Sequence, residues 1–176
     1  MRALVVALLG GWIVGTLILA GVATQNFRTI DRLLSAPTPG FSRAIAPLGH
    51  DGARVVLRYL SSELNRLYFG AWGLIQLALG VTILAGALGH KPLDRTGVVG
   101  AASILLIAIT MLLLNWFIVP LGRSLDFVPH TPAAPPLARF WRLHFAYTAL
   151  DATKLTLCLW LLIHWYHRGG SVFTQR

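Results

Sequence analysis

Six side chains in one apolar stretch near the C-terminus are the residues of this sequence best suited to chemistry. His144, Tyr147, Thr148, Asp151, Lys154 and Cys158 recur at mostly helical spacing, and at about 100° per residue they fall along one stripe of a helix. The positions between them are largely Leu, Ala and Phe. An ionisable group inside such a run is expensive in lipid, so it faces the bundle interior or a water-filled cavity and finds a partner. Asp151 and Lys154 stand three residues apart, the spacing at which two side chains of one helix meet. The stripe reads in two ways. As a polar path, it would let Asp151 take up a proton or an ion, with Lys154 and His144 beside it. As a structural device, it is a self-neutralised pair that sets the rotation of its helix and bonds to neighbouring spans, with Gln76, Thr110 and Asn115 as candidate partners. A charge that brings its own counter-ion largely meets its burial requirement, which favours the structural reading.

Other chemistries find little support. Six histidines invite haem or metal, but a haem held by two histidines inside a bundle needs them on different helices at similar depth. His144, His164 and His167 share one apolar run, while His50, His90 and His130 fall in loops or at boundaries. His164 and His167, beside Trp165 and Tyr166, look like an interfacial aromatic belt. Neither a metal nor haem b is expected. Cys158 is the sole cysteine, which leaves no intrachain disulfide and suits a small buried hydrophobe. The chain has no GxSxG, HExxH, phosphate-cradling GxxxxGK[ST] or CxxC, so it is not expected to be an enzyme. Gly97-Val98-Val99-Gly100 reads as helix packing.

The elements that must position these residues are membrane spans. Of 176 residues, 56% are hydrophobic and 12% charged, about half the charge of a soluble domain, and the mean hydropathy is +0.67. Four runs suit a hydrocarbon core of about 30 Å: 3–23, 67–88, 98–119 and 138–166. They imply a single all-α domain, an integral membrane four-helix bundle. The loops fall at 24–66, 89–97 and 120–137. Pro37, Pro39, Gly40, Pro47 and Gly49 mark 26–49 as irregular. From Asp51 onward, Val55, Leu57, Leu60 and Leu64 alternate with Arg54, Arg58 and Glu63, an amphipathic helical stretch leading into the second span. Pro120 and Gly122 are expected to stop the third. Gly21, Val22 and Ala23 have the spacing of a signal-peptide cleavage site, but the first run exceeds the usual 7–15 apolar residues of such a leader. Gly11 and Gly15 make a small-xxx-small pair for close helix contact. The tryptophans mostly flank spans, as anchors do.

The net charge of +9 would suggest nucleic acid in a soluble protein. Here the arginines cluster at span ends, so nucleic acid is not an expected partner. Arg2, Lys91, Arg95, Arg168 and Arg176 lie on the side of the termini. Arg28, Arg32, Arg43, Arg54, Arg58, Arg66, Arg123, Arg139 and Arg142 lie on the side of the two longer loops. That asymmetry puts the long loops in the cytoplasm and both termini outside.

Phe140-Trp141-Arg142-Leu143-His144 before a long apolar run resembles the F-x-R-L-H opening of the last span in domain-of-unknown-function family 4149, related to the transmembrane-protein-205-like group. Gly10-Gly11-Trp12 in the first span and Val119-Pro120-Leu121-Gly122-Arg123 at the end of the third agree with it. The resemblance implies four spans in a bacterial inner membrane and brings no established activity. Asp151 and Lys154 depart from the pattern, since a neutral polar residue is expected at 151.

These readings predict a non-catalytic multi-pass protein, an accessory or structural subunit set in the bilayer against other membrane proteins or copies of itself. Arg142 and His144 would meet an anionic lipid or a partner's carboxylate at headgroup level. The alternatives are a small transporter or proton-conducting element built on the polar stripe, and a haem- or quinone-associated anchor of a redox complex.

Overall fold

The computed structural model describes residues 2–128 and 135–167, and these are almost wholly helical. Four helices are long and apolar enough to cross a membrane: α1 (Arg2–Ser35), α3 (Gly49–Leu88), α4 (Arg95–Arg123) and α5 (Pro135–His167). The short α2 (Pro39–Ile45) and a 3₁₀ turn at Ala46–Leu48 join α1 to α3. The long helices form an up-down-up-down ring in which α1 touches α3, α3 touches α4, α4 touches α5, and α5 closes on α1. Each is antiparallel to its neighbours, as short connections require.

The helices overrun the expected spans, most of all between 24 and 66. There the expected loop is a helical hairpin that continues α1 and α3 past the expected spans. The helix breakers of that region begin only at Pro37. From 22 to 36 the chain has neither Pro nor Gly, and Phe27, Ile30 and Leu34 keep one apolar face. Ile30 and Leu34 are buried against Ala53, with Phe27, Phe41, Ile45 and Leu57 packed around them. Polar contacts fix the register below this small core. Asn26 Nδ2 donates to Asn65 Oδ1 at 2.7 Å, and Asn65 Nδ2 donates to the Ala23 carbonyl at 3.2 Å. The tip is closed by α2, where Thr38 Oγ1 accepts from Phe41 N and Pro39 opens the helix. Gly49 then turns the chain into α3 with φ +66°, a backbone state glycine adopts at low cost. The amphipathic stretch from Asp51 continues into the second span as one helix.

Pro120 does not stop the third span as expected: α4 runs through it to Arg123. A proline in the last turn forfeits one backbone bond there, a smaller disruption than in mid-helix.

Inside the bilayer region the core joins Val5, Leu9 and Trp12 of α1 to Ile83 and Ala87 of α3. Ala101, Ile104 and Ala108 of α4 and Cys158, Leu161 and Trp165 of α5 complete it. Two tryptophans thus depart from the anchor reading: Trp12 and Trp165 are buried, whereas Trp116, Trp141 and Trp160 are exposed. Gly11 and Gly15 also part company. A Cβ on Gly15 would lie 2.3 Å from Trp72 Cη2, so the glycine seats that ring between α1 and α3, while Gly11 has nothing within 4 Å. Gly97 and Gly100 lie against Trp165 and Leu161 of α5.

Candidate functional site at the centre of the bundle

The centre of the ring is polar. Lys154 is fully buried, and Gln76 and Thr16 are buried beside it. Lys154 Nζ donates to Asp151 Oδ1 at 2.5 Å, to Gln76 Oε1, and to Thr16 Oγ1 at 3.5 Å. An ammonium has three N–H donors, and here it meets three acceptors. Trp12 completes the enclosure. Its Nε1 donates to Gln76 Oε1 at 3.1 Å, and the ammonium lies 5.8 Å from its ring centroid, within the range of a cation–π contact. The cluster therefore ties α1 and α5 to α3, although α3 and α5 sit across the ring from each other.

Its depth follows from helix rise. From Arg66 to Gln76, α3 climbs about 15 Å, and from Gln76 to Leu88 about 18 Å. On α5, Arg142 to Lys154 is about 18 Å and Lys154 to His164 about 15 Å. With a hydrocarbon half-thickness of about 15 Å, the cluster lies near the midplane.

The polar stripe of α5 is split. Asp151, Lys154 and Cys158 turn inward, and Tyr147 sits edge-on to Phe69 at 6.0 Å. His144 and Thr148 are exposed. The Thr148 hydroxyl donates to the His144 carbonyl of its own helix, and the His144 ring stacks 5.8 Å from Phe140. His144 therefore does not join Asp151. Of the three candidate partners on other spans, only Gln76 reaches the pair. Thr110 Oγ1 donates to the Leu106 carbonyl one turn back, and Asn115 lines a lateral groove between α3 and α4. Arg142 is exposed beside His144, with its Nε toward the Ala138 carbonyl. Trp12 and Thr16 were absent from the expected set. Thr16 is the one hydroxyl within the first apolar run, and Trp12 lies one turn before it.

Both ends of the bundle carry their own ionic ties. On the side of the termini, His164 Nε2 lies 2.7 Å from Asp94 Oδ2, and the carboxylate is buried. This histidine thus has a carboxylate partner as well as its aromatic neighbour Trp160. Arg2 donates to the Trp165 and Tyr166 carbonyls, both at 2.7 Å. It satisfies acceptors that the last turn of α5 leaves open and sets a cation at that negative helix end. Arg168 and Arg176 lie outside the described residues. At the opposite end, Arg66 forks onto Asp126 at 2.6 and 2.8 Å and reaches Glu63 at 2.7 Å. Arg123 makes two bonds to Glu63 at 3.0 Å. Glu63 lies one turn outside 67–88, and the Arg123 guanidinium, helped by Arg66, holds its carboxyl down at about 2.

No family model, curated protein or solved structure matches the chain. Among the described residues no group of three or more His, Cys, Asp and Glu side chains is placed to hold a metal ion.

Proposed function

We propose that this chain is a non-catalytic, multi-pass accessory or structural subunit whose bundle is a rigid unit set against other membrane proteins. The observation that carries this reading is the closure of the Lys154 cluster. All three N–H groups are matched and the amine is shut away, so the midplane polarity is spent on holding three helices in register. A carrier would need such a charge to exchange partners with water or cargo. The resemblance of the segment around His144 supports a bacterial inner membrane. The arginine-rich α1–α3 hairpin supports a cytoplasmic position for that end, with the termini outside.

The test is purification from native membranes in mild detergent. The reading expects stoichiometric recovery of one larger complex, and recovery of the chain alone or as a homo-oligomer would sink it. A second reading, a proton-conducting element, rests on the Asp151 side chain, one-quarter exposed while Lys154 is sealed. It expects Asp151→Asn to abolish a proton flux into vesicles containing the purified chain. A flux absent from both proteins would remove this alternative.

A further inference from the structure

A lateral groove of about 420 Å³ opens between α4 and α5 on the side of the termini. Gly100 and Ser103 of α4 form its floor, since neither carries a side chain large enough to fill the gap. Val99 stands on one side of it, and Leu157 and Trp160 of α5 on the other. A Cβ on Gly100 would lie 3.0 Å from Trp160 Cζ3, so the glycine lets that ring settle against α4. Arg95 and Thr96 line the outer mouth.

Helix rise sets the depth of each part. Gly100 packs on Leu161, which lies about 10–11 Å from Lys154 along α5. Arg95 is about 7–8 Å further out along α4, and Ser103 about 4–5 Å further in. The groove therefore runs from about 6 Å to about 18 Å from the midplane cluster. A hydrocarbon half-thickness of about 15 Å, in a bilayer about 40–45 Å thick with its headgroups, leaves Ser103, Leu157 and Trp160 among acyl chains. It sets Arg95 and Thr96 in the headgroup layer.

The mouth is cationic and has no counter-ion of its own. All six acidic side chains of the sequence lie among the described residues, and Asp94 is the one at this end. Its carboxylate is buried against His164. Arg2 is held by the Trp165 and Tyr166 carbonyls. Arg95, by contrast, is exposed and makes no ion pair or side-chain hydrogen bond among the described residues, and neither does the Thr96 hydroxyl. Lys91, in the turn before α4, is a second exposed cation. We propose that this groove binds one anionic glycerophospholipid from the leaflet on the side of the termini. The Arg95 guanidinium forks onto the two non-bridging phosphate oxygens, and the Thr96 hydroxyl donates to one of them. One acyl chain descends over Ser103 between Val99 and Leu157. A headgroup without a cation is selected, because the ammonium of a zwitterionic lipid would stand beside Arg95 and Lys91. Lipid held there is independent of the accessory-subunit reading.

The experiment is native mass spectrometry of the purified chain in detergent, titrated with dioleoyl phosphatidylglycerol or dioleoyl phosphatidylethanolamine. The first lipid is expected to bind about tenfold tighter. Arg95→Ala should bring the two to equality. Arg43→Ala at the hairpin tip removes the same charge and should leave the preference intact. Ser103→Leu should fill the floor and weaken both lipids about tenfold, with helicity and melting of the variant unchanged. Equal affinities in the parent overturn the site, as does a preference that survives Arg95→Ala or that Arg43→Ala also removes. Loss of the preference in Arg95→Ala with no effect of Ser103→Leu means that the mouth takes a phosphate without its chain, and refutes the lipid. In native membranes, p-benzoylphenylalanine at Val99 should yield lipid adducts. Adducts to another polypeptide or to a second copy assign the groove to a protein and overturn the proposal as well.

Discussion

Lys154 is held by side chains from three helices, and the cost of disturbing it depends on what is left behind. Lys154→Met takes the ammonium donor from Asp151, Thr16 and Gln76, of which Gln76 alone keeps another, Trp12 Nε1, and breaking a buried pair from one side costs about 3–5 kcal/mol. Thermal unfolding in detergent, followed by circular dichroism, should show that loss. The double variant Asp151→Asn with Lys154→Met removes both charges and is expected to recover most of it, since neutral replacement of a whole buried pair is often tolerated. A double variant as unstable as the single one would contradict the pairing. Glu63 makes a separate prediction with a definite sign. Its carboxyl is lowered from 4.5 to about 2 by Arg123 and Arg66, so the folded state favours the charged form. The stability it contributes is full above about pH 4.5 and is lost as the pH falls through about 2. The stability difference between the protein and Glu63→Gln should therefore be flat from neutral pH down to about 4.5 and shrink below it.

At the scale of the helices, Gly15 and Gly11 separate packing from composition. Gly15→Ala drives a methyl group into the Trp72 ring and should cost about 1–3 kcal/mol, the usual penalty for overpacking a close contact. Gly11→Ala meets nothing within 4 Å and is expected to stay within about 0.5 kcal/mol of the parent. Melting of the two variants side by side checks the orientation of α1, and equal effects would mean the helix is rotated. Much of this scale could be read from residue order. The amphipathic stretch from Asp51 is legible as a helix because Val55, Leu57, Leu60 and Leu64 alternate with Arg54, Arg58 and Glu63, but packing buries the Ala53 and Leu57 side and leaves Val55 and Leu60 exposed. The α1 extension was masked because the breakers from Pro37 onward drew the boundary too early, although Phe27, Ile30 and Leu34 already carried a helical face.

For the whole molecule the open physical question is which way it sits. The hairpin end holds Arg28, Arg32, Arg43, Arg54 and Arg58, against Arg2, Lys91 and Arg95 at the other, the excess on which the proposed cytoplasmic position of the hairpin rests. Cysteines introduced singly at Ser42 and Lys91 test it, and the native Cys158 is buried and out of reach of the reagent. In intact cells a membrane-impermeant maleimide should label the Lys91→Cys protein and should reach the Ser42→Cys protein only after the membrane is opened. The reverse pattern would invert the assigned orientation.

Residue order by itself determined the quantities that depend on local periodicity and on the solvent: four apolar helices and the pairing of Asp151 with Lys154, which share a helix face three residues apart. It also offered Gln76, a strongly polar side chain within a run too apolar to expose it freely. Which other polar groups join the cluster was decided only by tertiary packing. Thr110 satisfies its hydroxyl on the Leu106 carbonyl of its own helix, an outlet open to any threonine in a span. Asn115 faces the α3–α4 groove instead of the midplane. Trp12 and Thr16 enter because α1 is rotated to put Gly15 under Trp72. That rotation is set by how helices distant in sequence fit together, and no single-helix pattern contains it.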